Sequence, residues 1–425
     1  MFRNRAILPR LADRARSKLG RLIVLTGARQ TGKTTLVRRA FPEWPYVSLE
    51  DPVVRPTYSR MSAAELEERY PTVVLDEVQK APSLVETVKA AYDAYPQTRF
   101  ILLGSSQILL LAKVRESLAG RAAIEELWPL TLPEMATESW DDSCRESRLV
   151  RWLRNTNHFG IFDGVPGTSS QFASLQRRFE TYLDYGAMPT VTDPELSRDD
   201  RIAWLNDYQR TYLERDVTDL ASLRDLEPFV VAQRVIASRT GRLVNYSDLA
   251  RSAGIAPATA RRFLRYLELS YQVVKLSPFH RNVEKRLSKS PKVHFLDPGI
   301  LRALLNHWGE LTGEEYESAV VAEVYKQVRT ARIATDAYHL RTYDDREVDL
   351  LLELEHGFVA FEIKKTRRIA RADLRSFHEL DEILDKPLLA GFALSQDRDV
   401  RFIEDRILAL PVAWALGPPE RGDVS

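Results

Sequence analysis

The sequence predicts an α/β protein in three parts: an N-terminal domain built on a parallel sheet, a helical middle domain and a C-terminal α/β domain. Three observations predict it. Short apolar, β-rich runs at 21–26, 46–49, 72–76 and 99–104 alternate with helical sequence, the pattern of strands buried on both faces between crossover helices. From Phe172 to about Leu269 the apolar period is helical, and from about Val293 strand and helix patterns alternate again. A chain of 425 residues also exceeds what one core organises. The expected boundaries are 1–135 for the first domain, 136–170 for an irregular connector, 171–284 for the middle domain and 285–425 for the last.

Composition narrows the function classes. With 61 basic and 60 acidic side chains, any nucleic-acid contact must come from local basic patches. The one cysteine, Cys144, excludes an intramolecular disulfide and a cysteine-ligated zinc. No apolar run approaches the roughly 20 residues of a spanning helix, and the first residues lack the apolar core of a secretory signal. A cytoplasmic protein without membrane insertion is expected.

In chain order, Leu8, Leu11, Ala15 and Leu19 interleave with arginines at helical spacing and predict an amphipathic helix beside the first strand. The apolar run ending at Thr26 is followed by Gly27, Ala28, Arg29, Gln30, Thr31, Gly32, Lys33 and Thr34, then by helical sequence to Ala40. This is G-x-x-x-x-G-K-[ST] between a strand and a helix, the context a phosphate-binding loop needs. Its glycines let backbone N–H groups wrap phosphates at a helix N-terminus, Lys33 neutralises the β and γ phosphates, and the Thr34 hydroxyl ligates Mg2+. Thr35 is expected near the α-phosphate. No N-K-x-D pattern for reading guanine occurs, so ATP is the expected nucleotide.

The strand Val73-Val-Leu-Asp76-Glu77 ends in two acids. Asp76 is expected to hold magnesium through water and Glu77 to polarise the attacking water. The next strand ends at Ser105 and Ser106, of which Ser105 is the first choice to sense the γ-phosphate. Arg121, after the glycine that stops a helix, reads either as a finger reaching a neighbouring subunit's nucleotide, which would imply oligomerisation, or as a solvated arginine at a helix end.

Leu243 to Leu267 has helix-turn-helix grammar, with Gly254 at the turn and Pro257 opening the second helix. Thr259, Arg261, Arg262 and Arg265 would decorate that helix while Ala260, Phe263, Leu264 and Leu267 face the core. Three arginines there suit DNA phosphates and guanine edges. Winged helices also serve as protein-interaction modules, so a protein partner is the alternative. The basic stretch 280–292 points toward nucleic acid.

In the last domain, 347–353 and 358–365 flank a turn at Glu355-His-Gly357 and predict a β-hairpin. Period two puts Glu362 and Lys364 on one face. With Asp349 on the neighbouring strand, two carboxylates could hold magnesium while Lys364 activates water, and Glu323 on the preceding helix could add a ligand. This D…E-x-K set is similar to that of restriction-endonuclease-like folds. A solvated cross-strand acid–lysine pair is the plainer reading.

The order of 27–34, Leu75-Asp-Glu-Val-Gln79, Leu103-Gly-Ser-Ser106 and Ser117-Leu-Ala-Gly-Arg121 resembles a prokaryotic AAA-type ATPase family whose members carry a C-terminal domain of unknown function. The resemblance continues through Tyr185-Gly-Ala-Met-Pro189, Tyr212-Leu-Glu-Arg-Asp216 and Lys292-Val-His-Phe-Leu-Asp297, so it spans nearly the whole chain. It implies an AAA-like core, a helical region with a winged helix, and a restriction-endonuclease-like C-terminal fold. In that family Arg121 carries over as the finger. The expected function is an ATPase, using ATP and Mg2+, that couples nucleotide state to DNA binding or processing. The alternative is a nucleotide-gated switch or scaffold for a protein or DNA partner, without cleavage.

Overall fold

A computed structural model describes residues 2–104, 118, 120–156, 158–164, 169–212, 226–282, 290–341, 347–378 and 380–419. Ser105, Ser106 and much of the basic stretch 280–292 lie outside the described residues. The first domain runs α1 (Leu8–Arg16), β1 (Leu22–Thr26), α2 (Lys33–Ala40), β2 (Tyr46–Ser48), α3 (Arg55–Ser59), α4 (Ala63–Arg69), β3 (Thr72–Asp76), α5 (Pro82–Ala94), β4 (Arg99–Gly104) and β5 (Ala123–Glu126). Its sheet has the order β2-β3-β4-β1-β5, and every neighbouring pair is parallel. Leu11 and Ala15 of α1 are buried, but the helix ends at Arg16, so Leu19 falls beyond it and is 88% exposed.

Strand β5 was hidden in the sequence because two of its four residues are glutamates. Glu125 is nonetheless buried, since Arg10, Arg14 and Arg332 surround its carboxylate at 3.1, 2.8 and 2.9 Å. The first domain ends in a short helix, α6 (Leu132–Met135), and the connector expected to be irregular carries another, α7 (Arg148–Arg154). Each is opened by a hydroxyl cap, Thr131 and Ser147, that accepts a bond from a first-turn N–H. Trp152 of α7 packs edge-on against Phe392, so this segment belongs to the core of the last domain.

The middle domain contains α8 (Ser170–Tyr185), α9 (Arg198–Tyr212), α10 (Glu227–Ala237), β6 (Arg242–Leu243), α11 (Tyr246–Ala253), α12 (Pro257–Leu269), β7 (Val273–Pro278), β8 (Lys292–Phe295) and α13 (Pro298–Leu305). Asn245 caps α11, and Gly254 ends it at φ 65, a left-handed position that suits glycine. Strand β8 pairs antiparallel with both β6 and β7. The expected boundary at 284/285 therefore falls inside this sheet, because the chain returns through β8 to close it.

The last domain follows with α14 (Gly313–Ala331), β9 (Asp336–Arg341), β10 (Glu347–Leu354), β11 (Gly357–Lys364), α15 (Leu380–Ile383), β12 (Leu388–Ser395), β13 (Arg401–Glu404), β14 (Ile407–Pro411) and α16 (Val412–Leu416). The β10–β11 hairpin is antiparallel, as its alternation predicts, while β12 lies parallel to β11 and β14. A parallel contact between β7 and β9 joins the two domains into one nine-stranded sheet.

The turn after α8 fixes the middle domain on its neighbours. Gly186 has φ 78, and a Cβ there would sit 1.9 Å from Asp297 Oδ1. The buried Asp297 accepts the Ala187 N–H at 2.7 Å and caps α13 through Ile300 N–H. Gly186→Ala combines backbone strain with a clash against a rigid capping carboxylate. It is expected to destabilise by at least about 1–3 kcal/mol, read as a lower melting temperature. An unchanged melting curve would show that this turn is not confined.

Candidate functional site

The loop between β1 and α2 is shaped by its glycines. A Cβ on Gly27 (φ 153) would lie 2.2 Å from the Leu127 carbonyl oxygen, and Gly32 (φ 90) starts α2 from the left-handed region. Lys33 Nζ is buried and donates to the Gly27 and Ala28 carbonyls at 2.9 and 2.8 Å. Thr31 closes the loop through a bond from its hydroxyl to the Ala28 carbonyl at 2.9 Å.

Across the loop, Asp76 at the end of β3 accepts from Thr34 Oγ1 at 2.7 Å and from the Tyr46 hydroxyl at 2.6 Å, both on Oδ2. Its Oδ1 accepts the Glu77 N–H at 2.8 Å. Burial and then the Asp76 carboxylate hold the Tyr46 phenol well above its ordinary range, so it stays a donor. A threonine hydroxyl beside one carboxylate is the oxygen pair that magnesium at a P-loop uses, and the residues present fit that ion. Glu77 follows at φ 53, a left-handed position unusual for a glutamate, and its carboxylate is held by the Gln79 amide.

Two residues of this site escaped the sequence reading. Tyr46 sits on a neighbouring strand with no motif to mark it. Arg5 is buried under the loop, where it donates to the Thr31 carbonyl at 2.7 Å, the Trp128 carbonyl at 2.6 Å and Glu134 Oε1 at 3.1 Å. Above the loop lies a cavity of about 750 Å3, lined by P-loop residues Arg29 to Leu36, by Glu77, by Phe2, and by Trp140, Pro189 and Trp204. The last two come from the middle domain.

Arg121 makes a two-pronged pair with Asp93 of α5, Nε to Oδ1 at 2.7 Å and Nη2 to Oδ2 at 3.0 Å. On α12, Arg261, Arg262 and Arg265 are exposed and Thr259 is half-buried, whereas Ala260, Phe263, Leu264 and Leu267 are buried. Arg261 stacks on the Tyr246 ring at 4.8 Å, and Arg265 pairs with Glu268 at 2.7 Å.

In the last domain the pairing of Leu350 with Phe361 brings Asp349 next to the Glu362 strand, and Asp349 Oδ2 accepts the Ile363 N–H at 2.8 Å. Glu362 contacts Lys364 and accepts from Ser376 Oγ at 2.8 Å. Burial, with Asp349 adding to it, pushes the Glu362 carboxyl up to about 7. Glu323 does not join this group. Its carboxylate accepts the Leu132 N–H at 2.7 Å and pairs with Lys326 at 2.7 Å, at the contact with the first domain. The α14 residue that does approach is Glu317, 2.6 Å from Lys292, whose Nζ is 3.6 Å from Asp349. Six residues of helix turn the side chain by about 120° and shift it about 9 Å, so the two glutamates serve different neighbours. Among the described residues, no group of three or more His, Cys, Asp or Glu side chains is arranged to hold a metal ion. None of the described helices is long and apolar enough to cross a membrane.

Residues 20–136 match the family model described as an AAA domain. Residues 176–310 and 312–415 match two domains of unknown function, DUF8612 and DUF4143. The uncharacterized proteins Mb2031c of Mycobacterium bovis and Rv2008c of Mycobacterium tuberculosis are each 30% identical over 416 residues, covering 94% of this chain and 82% of theirs. Among solved structures, the Walker-type ATPase of Pyrococcus abyssi is similar at 17% identity and a TM-score of 0.43, over 69% of this chain and 94% of that one. A signal-transduction ATPase with a tetratricopeptide repeat sensor from Pyrococcus horikoshii is similar at 12% identity and a TM-score of 0.23, over 72% of this chain and 42% of that one.

Proposed function

Since the chain belongs to the family of these two mycobacterial proteins, with an AAA-type P-loop ATPase domain at 20–136, we propose that it hydrolyses MgATP and that its nucleotide state controls how the middle domain engages DNA. The observation that carries this reading is the cavity over the P-loop, because its wall is shared between the ATPase domain and the middle domain. A nucleotide seated there touches both. Loss of the γ-phosphate would then alter contacts on each side, which is the differential interaction a nucleotide switch requires.

Each residue has a defined task in this reading. The loop from Gly27 to Thr35 holds the phosphates, and Lys33 leaves the loop carbonyls to neutralise the β and γ groups. Thr34 and Asp76 would hold a magnesium ion, which would supply charge neutralisation for the phosphates. Glu77, kept in place by Gln79, polarises the attacking water. Trp140, Pro189 and Trp204 offer apolar surface to a purine base. A role for Arg121 on a neighbouring subunit's nucleotide requires its pair with Asp93 to open.

DNA is favoured as the partner by reading the order α10, β6, α11, α12, β7, β8 as a winged helix, and by the exposed arginines of α12. Fluorescence anisotropy with a labelled duplex tests it. Arg261→Ala/Arg262→Ala/Arg265→Ala is expected to weaken binding and to lower the salt slope by about 3. Wild-type affinity should also differ between ADP and a non-hydrolysable ATP analogue. Equal binding by wild type and variant would remove α12 as the DNA contact, and no binding by wild type would remove DNA from the reading and leave a protein partner for this face.

A further inference from the structure

The acidic cluster of the last domain contains a cation of its own. Lys292 lies on β8, in the sheet of the middle domain, and its side chain is 3% exposed. Its Nζ is 2.6 Å from Glu317 Oε1, 2.7 Å from Glu347 Oε1 and 3.6 Å from Asp349 Oδ1. The remaining oxygens of the D…E-x-K set are also engaged by the protein: Asp349 Oδ2 by the Ile363 N–H, Glu362 Oε1 by Lys364 and Glu362 Oε2 by Ser376. A magnesium site in a nuclease needs these oxygens to face the ion and its waters. Here Asp349 Oδ1 faces the Lys292 ammonium, and the other three face a backbone N–H, the Lys364 ammonium and a serine hydroxyl.

We propose that the Lys292 ammonium is the resident cation of this site, standing where a cleaving member of such a fold would bind a divalent metal. The C-terminal domain therefore holds its carboxylates together without metal and does not cut. This proposal rests on the D…E-x-K geometry and is independent of the ATPase and DNA readings.

Electrostatics supports the geometry. Burial would lower the Lys292 ammonium, but Glu317, Asp349 and Glu347 outweigh it and hold the group above the ordinary lysine range. Burial, with Asp349 adding to it, pushes the Glu317 carboxyl well up, and burial raises Asp349 despite Lys292. His294, 4.0 Å from Glu317, is kept neutral by burial and by Lys292, so it adds no competing charge. A compact ammonium also suits this place better than a guanidinium, because it meets several oxygens as a point charge. A divalent ion brought to the same oxygens would be repelled by the cation already there.

The test is Mn2+ binding to the full chain without nucleotide, followed by electron paramagnetic resonance. Wild type and Asp349→Asn are expected to give the same Mn2+ titration, because neither has an open site at this cluster. Lys292→Met, which keeps the length of the side chain but removes the charge, is expected to gain one site and bind Mn2+ at least tenfold more tightly. That gain should vanish in Lys292→Met/Asp349→Asn. A wild-type Mn2+ site abolished by Asp349→Asn would overturn the proposal, as would a folded Lys292→Met protein that gains nothing. If Lys292→Met fails to fold, the comparison of wild type with Asp349→Asn still decides the matter.

Discussion

Lys33→Ala is expected to abolish ATP hydrolysis, lowering kcat by on the order of 10²–10³-fold or more, the loss typical when a donor to developing negative charge is removed. The reason is local. Lys33 is the first residue of α2, it is buried, and its ammonium is parked on the Gly27 and Ala28 carbonyls of its own loop. Moving from those carbonyls to phosphate oxygens exchanges neutral hydrogen bonds for charge-assisted ones, which are about twice as strong. Steady-state hydrolysis with calorimetric nucleotide binding tests this, and a melting curve run alongside checks that the variant is folded. Turnover at the wild-type rate would remove the P-loop from the mechanism.

The largest stability effect is expected from Lys326→Met. Lys326 and Glu323 are both fully buried, 2.7 Å apart on α14. Lys326 also donates to the Leu130 carbonyl at 2.9 Å and sits 4.7 Å from the Tyr182 ring centroid, while Glu323 accepts from Leu132 and Gln327. Methionine would fill the space and leave the Glu323 carboxylate without its cation. Breaking one side of a buried pair costs about 3–5 kcal/mol. Adding Glu323→Gln should recover part of that loss, since the amide oxygen can still accept the Leu132 N–H. Denaturant titration of wild type, single and double variants tests the ordering. A single variant as stable as wild type would contradict it.

The same pair explains how the domains could communicate. Leu130 accepts from Lys326 and donates its N–H to the Ala187 carbonyl at 2.8 Å, beside the turn that Asp297 fixes. Glu134, one turn on, holds Arg5, and Arg5 holds the Thr31 carbonyl of the P-loop. A short run from 130 to 134 thus reaches the nucleotide loop through Arg5 and bonds directly to the middle domain and α14. Lys326→Met is accordingly expected to impair hydrolysis as well as stability.

The placement of the 27–34 loop and of Asp76–Glu77 was legible in the sequence because it is local: a strand, a glycine turn and a helix start dictate the geometry. Asp349, Glu362 and Lys364 were legible through the period of two along paired strands. What was not legible depends on packing. α14 is buried on nearly all sides, so no amphipathic pattern showed whether Glu317 or Glu323 would meet Asp349. Tyr46 and Arg5 reach the site from segments whose own sequence carries no phosphate-binding signal. Lys292 read as part of a basic stretch pointing toward nucleic acid, and the pairing of β8 with β6 and β7 turns it inward.

The proposed coupling of nucleotide turnover to DNA engagement runs through the shared cavity. The most direct measurement is magnesium-dependent ATP hydrolysis by the full chain, with and without duplex DNA, with Lys33→Ala as the blank. The expected result is hydrolysis that DNA stimulates, with the stimulation lost in Arg261→Ala/Arg262→Ala/Arg265→Ala. Hydrolysis at the same rate with and without DNA would contradict it.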